Sequence, residues 1–252
     1  MGLTIHWTLQ APDGTSDVQA AELVAQLRSG FLDLPFDHVG EITHFSAEEI
    51  HAQLEDRESP NRWLLILSEA KVKLGNDPQV YDYVRVEPEE VIGFVSDPGD
   101  ESEPVCLFLA RYPQTTVVNG GKVETRLKGW QGSAFCKTQY GGIISNEHFL
   151  KCHLTVIAAL DLARSLGLKV EVIDEGGYWE NRNVDALLKE LRIWNESIAA
   201  FVGALGDAHG GDFQSPIKDH PEFERLEHFG TTGQTAAFVK ALAEVLKREK
   251  QS

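Results

Sequence analysis

One stretch constrains the fold more than any other. Between Asn183 and Gly206 the apolar positions Leu187, Leu191, Trp194, Ile198, Phe201 and Leu205 step by four, three, four, three and four residues. An α-helix puts such positions on one side, because its turn of 3.6 residues stacks i, i+3, i+4 and i+7. A helix of that length with a continuous apolar stripe has to dock on a sheet or on another helix. The chain therefore needs a sizeable partner layer, and 252 residues suffice for one large domain or two small ones.

A sheet is one candidate for that layer, another helix the other. Leu3, Ile5, Trp7 and Leu9 alternate with Thr4, His6, Thr8 and Gln10, which predicts a strand over 3–10 with one wet face. Ser16 with Gln19 forms a capping box, and Val18, Ala21, Val24 and Leu27 give a helix over 17–30 its apolar side. A strand follows at Val39–Phe45, then a short helix near 47–55 opened by Ser46 and Glu49. From Arg62 to Tyr140 the β-branched and aromatic content predicts strands at 63–68, 80–86, 91–95, 104–112, 115–119, 122–127 and 130–139, with Asn119-Gly120 as a hairpin turn. Ser145 or Asn146 caps a helix that runs to Leu166 and stops at Gly167, and Lys169–Asp174 is the next strand. The stretch 207–230 reads as a surface excursion, followed by a helix capped near Thr231-Thr232 that carries Phe238, Leu242, Val245 and Leu246. The expected class is α+β: a mixed, largely antiparallel sheet with two β-α-β units and helices on one face, an enlarged ferredoxin-like plan with a C-terminal helical appendage. Residues 1–206 form the α+β domain, and 207–252 are the excursion and helix packed on it.

Composition narrows the partners. With 23 Lys and Arg against 39 Asp and Glu the chain carries a net charge of −16, which argues against nucleic acid or an anionic membrane. No basic segment followed by an apolar core opens the sequence, and no apolar stretch approaches about 18 residues. The three cysteines, Cys106, Cys136 and Cys152, form no C-x-x-C pair and fit reduced thiols, so a cytoplasmic setting is expected. No dinucleotide fingerprint, Walker A, H-E-x-x-H or G-x-S-x-G sequence is present, and no cofactor is expected. A small molecule or a protein is left as the partner.

Candidate chemistry collects where two strands end. In a β-α-β unit the carboxyl ends of both strands lie at one edge of the sheet. That juxtaposes Lys137, Thr138, Gln139 and Tyr140 with Asp174, Glu175, Tyr178, Trp179 and Glu180, across Gly141-Gly142 and a helix N-terminus able to hold an anion. In one reading Lys137, Tyr140, Asp174, Glu175 and Glu180 serve as catalytic groups, while Tyr178, Trp179 and Arg182 bind the ligand. In the other, Gly176-Gly177 only turns the chain, the aromatics pack on the long helix and the carboxylates are solvated. His148 and Cys152, four apart on one helix face, are weak zinc candidates without a third ligand. Cys136 suits a nucleophile with His148 or His153 as base, or a core position beside Ala134, and His153 suits a satisfied buried histidine. His209, Asp212, Asp219, His220 and Glu222 fit solvated loop.

The segments Phe135–Tyr140, Glu147–Leu154, Asp174–Arg182 and Pro221–Glu227, with Ile5–Trp7, Leu34–Phe36 and the Arg111-Tyr112-Pro113 corner, resemble a family of uncharacterised bacterial proteins over most of the chain. The resemblance implies a bacterial, cytoplasmic origin and transfers no catalytic residue. Two functions stay open: a ligand-binding or protein-interaction protein without turnover, using 174–182 and the excursion as its contact surface, or a small-molecule hydrolase or transferase built on the carboxylates of 174–180.

Overall fold

The computed structural model describes residues 3–74, 83–209 and 215–232. In chain order the elements are β1 (Thr4–Gln10), α1 (Asp17–Phe31), β2 (His38–Val39), β3 (Thr43–Ser46), α2 (Ala47–Glu55) and α3 (Arg62–Ser68). Two hairpins frame the central pair of strands: β4 (Ala70–Lys73) and β5 (Tyr83–Val86), then β6 (Glu90–Asp97) and β7 (Val105–Arg111), then β8 (Thr115–Val118) and β9 (Gly121–Glu124). The second half holds β10 (Trp130–Lys137), α4 (Gly141–Ile144), α5 (Asn146–Ser165), β11 (Lys169–Asp174), α6 (Tyr178–Asn181), α7 (Val184–His209), a 3-10 turn (Pro216–Asp219) and α8 (Phe223–Thr232).

The main sheet runs β11-β1-β10-β7-β6-β2, with β3 also on β6, and every described pairing is antiparallel. The protein is α+β, and its sheet is antiparallel throughout the described residues rather than mixed. β1 lies between β10 and β11 and opposes both, so the crossover through α4 and α5 joins two strands that point the same way without touching. Their carboxyl ends therefore share an edge with the start of β1: Thr4 is opposite Lys137, and Ile5 is opposite Asp174.

Ser16 and Gln19 close both halves of a capping box on α1, which buries Ala20, Val24, Leu27 and Phe31 and leaves Val18 68% exposed. Phe31 meets Phe94 of β6 edge-on at 5.0 Å, fixing the face that α1 and α5 cover. The expected single helical face is a correction, and so is the strand at 63–68. Those residues form α3, whose Trp63 sits edge-on to Phe135 at 6.4 Å. Phe135 alternates with the buried Ala134 and Cys136, so α3 covers the opposite face. A short apolar run does not distinguish strand from helix by its period, and three leucines in seven residues favour the helix. With helices on both sides, Val105–Ala110 of β7 are buried at every position.

Ser145 accepts a hydrogen bond from the His148 N–H at 3.0 Å and so starts α5. Ser145→Ala is expected to lower stability by about 1 kcal/mol in urea denaturation, the usual loss of an N-cap. On α7, Leu187 and Leu191 pack with Leu3 and Phe149, while Ala199 and Val202 pack with Ile217 and Leu226. The second group shows that part of the expected excursion is ordered against α7. Thr231 and Thr232 are not N-caps: both lie within α8, and both hydroxyls donate to the His228 carbonyl. The helix expected beyond them lies outside the described residues. Among the described residues no helix is long and apolar enough to cross a membrane.

Candidate functional site

The strand-end residues do converge, but on each other. Asp174 ends β11 with its side chain fully buried, and its Oδ1 accepts from the Gly176 N–H at 2.8 Å. Its Oδ2 accepts from the Trp179 N–H at 2.9 Å and faces His153 Nε2 at 3.3 Å. The far imidazole nitrogen, Nδ1, is 2.8 Å from the hydroxyl of Thr138 at the end of β10. Burial pushes the Asp174 carboxyl up, yet the His153 hydrogen bond and charge, with the Trp179 and Gly176 N–H groups, outweigh it and hold the group below its ordinary value. Beside this chain, Gln139 accepts from the Leu3 N–H and donates to Asn195 of α7, each at 3.0 Å, and both side chains are buried.

Hydroxyl, imidazole and carboxylate in a row repeat the order of groups in a nucleophilic triad. Here, however, Thr138 and His153 are both 0% exposed, and none of the described cavities is lined by Thr138, His153 or Asp174. Gly176 seals the cluster from above, since a Cβ there would lie 2.4 Å from Leu187 Cδ1. The Gly141-Gly142 turn is closed too: Gly142 sits under Leu191, and Ser145 already serves the first amides of α5. The Thr138, His153 and Asp174 side chains are thus closed off from solvent, while Glu175 beside them is exposed.

The other groups proposed from the sequence are engaged as well. Lys137 Nζ donates to the Tyr140 hydroxyl at 3.0 Å and lies 4.3 Å from that ring's centre. Glu175 accepts from the Thr4 N–H at 3.0 Å, extending the β1–β11 pairing by one residue. Glu180 is exposed. Tyr178 meets His153 edge-on at 6.5 Å, and Trp179 is stacked between the guanidinium groups of Arg164 and Arg182, at 4.4 and 4.8 Å. Asp161 holds both arginines in place, Arg182 by two bonds of 2.7 and 3.0 Å. Trp179 and Arg182 thus stack on each other.

His148 and Cys152 are adjacent, with Nε2 and Sγ 3.5 Å apart, but Nε2 is 2.8 Å from the Asp100 carbonyl and donates its proton there. A nitrogen that carries that proton is no metal ligand, and among the described residues no group of three or more His, Cys, Asp or Glu is placed to hold a metal. Burial raises all three thiols, Cys106 to about 12, which leaves Cys136 a core thiol bonded to the Glu103 carbonyl rather than a nucleophile. His220 turns back on its own loop, accepting from the Glu222 N–H.

Open space lies elsewhere. At the opposite end of β7 and β10, a cavity of about 680 Å³ borders Arg111, Tyr112, Arg126 and Lys128, and one of about 550 Å³ shares Tyr112 and Leu127 with it. Nothing in the spacing of these residues signals their meeting, because they come from separate hairpins. Fold and site together define an α+β protein whose polar strand-end cluster is internally satisfied. Compared with protein-family models, curated proteins and solved structures, the chain gives no match.

Proposed function

We propose that this chain is a binding protein, taking a small molecule or a protein partner without turning it over, in a bacterial cytoplasm and away from nucleic acid and membranes. One observation carries this: the groups that chemistry at the strand ends would need are spent on the fold, Asp174 on two N–H groups and an imidazole, and Trp179 on two arginines. A hydrolase or transferase built on the carboxylates of 174–180 has less support, because Glu175 completes a strand pairing and Glu180 is exposed to solvent. The net charge of −16 and three buried free thiols support the setting and the excluded partners. The sheet order, with β1 inserted between the strands of the second crossover, supports reading the core as an enlarged ferredoxin-like plan.

The test is a metabolite panel followed in two ways on the same samples. Thermal unfolding is expected to shift upward with at least one compound, and mass spectrometry is expected to recover that compound unchanged after long incubation. Conversion of a compound by the wild type, lost in Glu175→Gln with the fold intact, overturns the proposal in favour of the carboxylate enzyme.

A further inference from the structure

We propose that the trough formed by the two cavities on either side of Tyr112 and Leu127 is a binding site for a small hydroxylated molecule carrying a phosphate or carboxylate group. The inference rests on the binding function above and gives it a place and a ligand class.

Charge is the first argument. Arg111 on the trough wall is already answered, by Glu89 at 3.0 Å, Glu90 at 2.8 Å and Asp17 at 3.7 Å, and Arg85 by Glu69 at 3.0 Å. Arg126, Lys128 and Lys71, which also line it, are in no ion pair or hydrogen bond among the described residues, and Glu124 is the unanswered carboxylate beside them. Lys71 even stands directly opposite Arg85 in the β4–β5 pairing, a like-charge arrangement that a bound anion relieves. Arg126 and Lys128 line the first cavity and Lys71 the second, so on a chain with a net charge of −16 the trough gathers three cations without a partner side chain.

Backbone geometry is the second. Arg126 is held at φ +59° and Gly129 at φ +62°, in the left-handed region where glycine, not arginine, is the unstrained residue. Thr125 locks this turn: its side chain is buried, its hydroxyl donates to the Pro113 carbonyl at 2.7 Å, and its N–H donates to the Gln114 carbonyl at 2.9 Å. The turn is thereby preorganised with Arg126 and Lys128 on the cavity wall. Third, Gln131 lines the second cavity and keeps its buried amide nitrogen without an acceptor among the described residues.

These groups select their ligand. The guanidinium fork of Arg126 matches two oxygens of a phosphate or carboxylate, and Lys128 and Lys71 add point charges. Glu124 accepts from a hydroxyl and disfavours a bare polyanion. Isothermal titration at low ionic strength with glycerol 3-phosphate and with malate tells the phosphate from the carboxylate source. At least one is expected to bind saturably to the full chain, tenfold or more weakly to Arg126→Ala/Lys128→Ala, and unchanged to Lys122→Ala, a cation of β9 outside the lining, with thermal midpoints of all three proteins alike. No saturable binding of either compound, undiminished binding to the double variant, or an equal loss in Lys122→Ala overturns the site. A neutral compound stabilising the protein while both anions fail would remove this site and leave the binding function standing. An anion bound here but converted would do the reverse.

Discussion

Asp174→Ala is expected to lower the unfolding free energy by about 3 kcal/mol or more, because it removes a buried carboxylate that accepts hydrogen bonds from two backbone N–H groups and faces the His153 imidazole. Against a total stability of about 5–15 kcal/mol, that is a large fraction, visible as a displaced urea midpoint. Asp174→Asn keeps the shape and shows the role of charge. The folded carboxyl lies below its ordinary value, so its stabilisation is complete above an unfolded-state pKa near 4 and is lost as pH falls through the lower folded value. Stability of the wild type measured from about pH 6 down to pH 2 is expected to fall more steeply than that of Asp174→Asn. Parallel curves would show that the group contributes no charge-dependent stability.

Gly132→Ala is the second large effect, expected to cost about 3 kcal/mol or more for a backbone-level overpacking. β10 pairs with β7 only through Trp130 opposite Arg111 and Gln131 opposite Ala110, and at the next residue the strands crowd. A Cβ on Gly132 would lie 2.2 Å from the Phe108 carbonyl oxygen and 3.1 Å from the Phe108 ring. The oxygen belongs to a central strand buried on both faces, so it cannot retreat as a flexible side chain would. The measurement is the urea midpoint of Gly132→Ala beside that of the wild type; equal midpoints would mean that β7 yields at no cost.

Much of the fold is legible in the sequence, for reasons local to each element. Ser145 and Gly167 bracket α5, and Lys169–Asp174 is a strand at the residues its pattern predicts. Asn119 and Gly120 take the two positive φ angles that a type I′ hairpin needs. What escapes is set by distant partners. α3 is apolar enough for either structure, and only its seat on the sheet decides. α8 offers few apolar positions, and its close approach to α7 depends on Gly230, where a Cβ would lie 2.0 Å from the Glu196 carbonyl oxygen.

The candidate site divides the same way. Asp174 is marked by its position at a strand end, and the meeting of 137–140 with 174–178 follows from the crossover. The inward turn of its carboxylate follows from the packing of Gly176 under Leu187, which no local pattern encodes. Trp179 looks like an exposed stacking platform until Asp161 and Arg164, from the preceding helix, are brought against it. The unanswered cations of the trough come from β4 and from the turn after β9, more than fifty residues apart, and each taken singly reads like any solvated surface residue.

The placement of β1 between β10 and β11 also sets a timetable for synthesis. Thr4 and Glu175, joined in the finished sheet, are 171 residues apart. At about 5–20 residues per second, the ribosome takes roughly 10–30 s to supply that partner strand after β1 has been made. Its other partner, β10, is also late in the chain, so for most of this interval β1 holds Ile5, Trp7 and Leu9 without a neighbouring strand. A nascent chain of this design relies on chaperones, or on α1 folding back over β1, far more than one whose first strand is closed by an early hairpin.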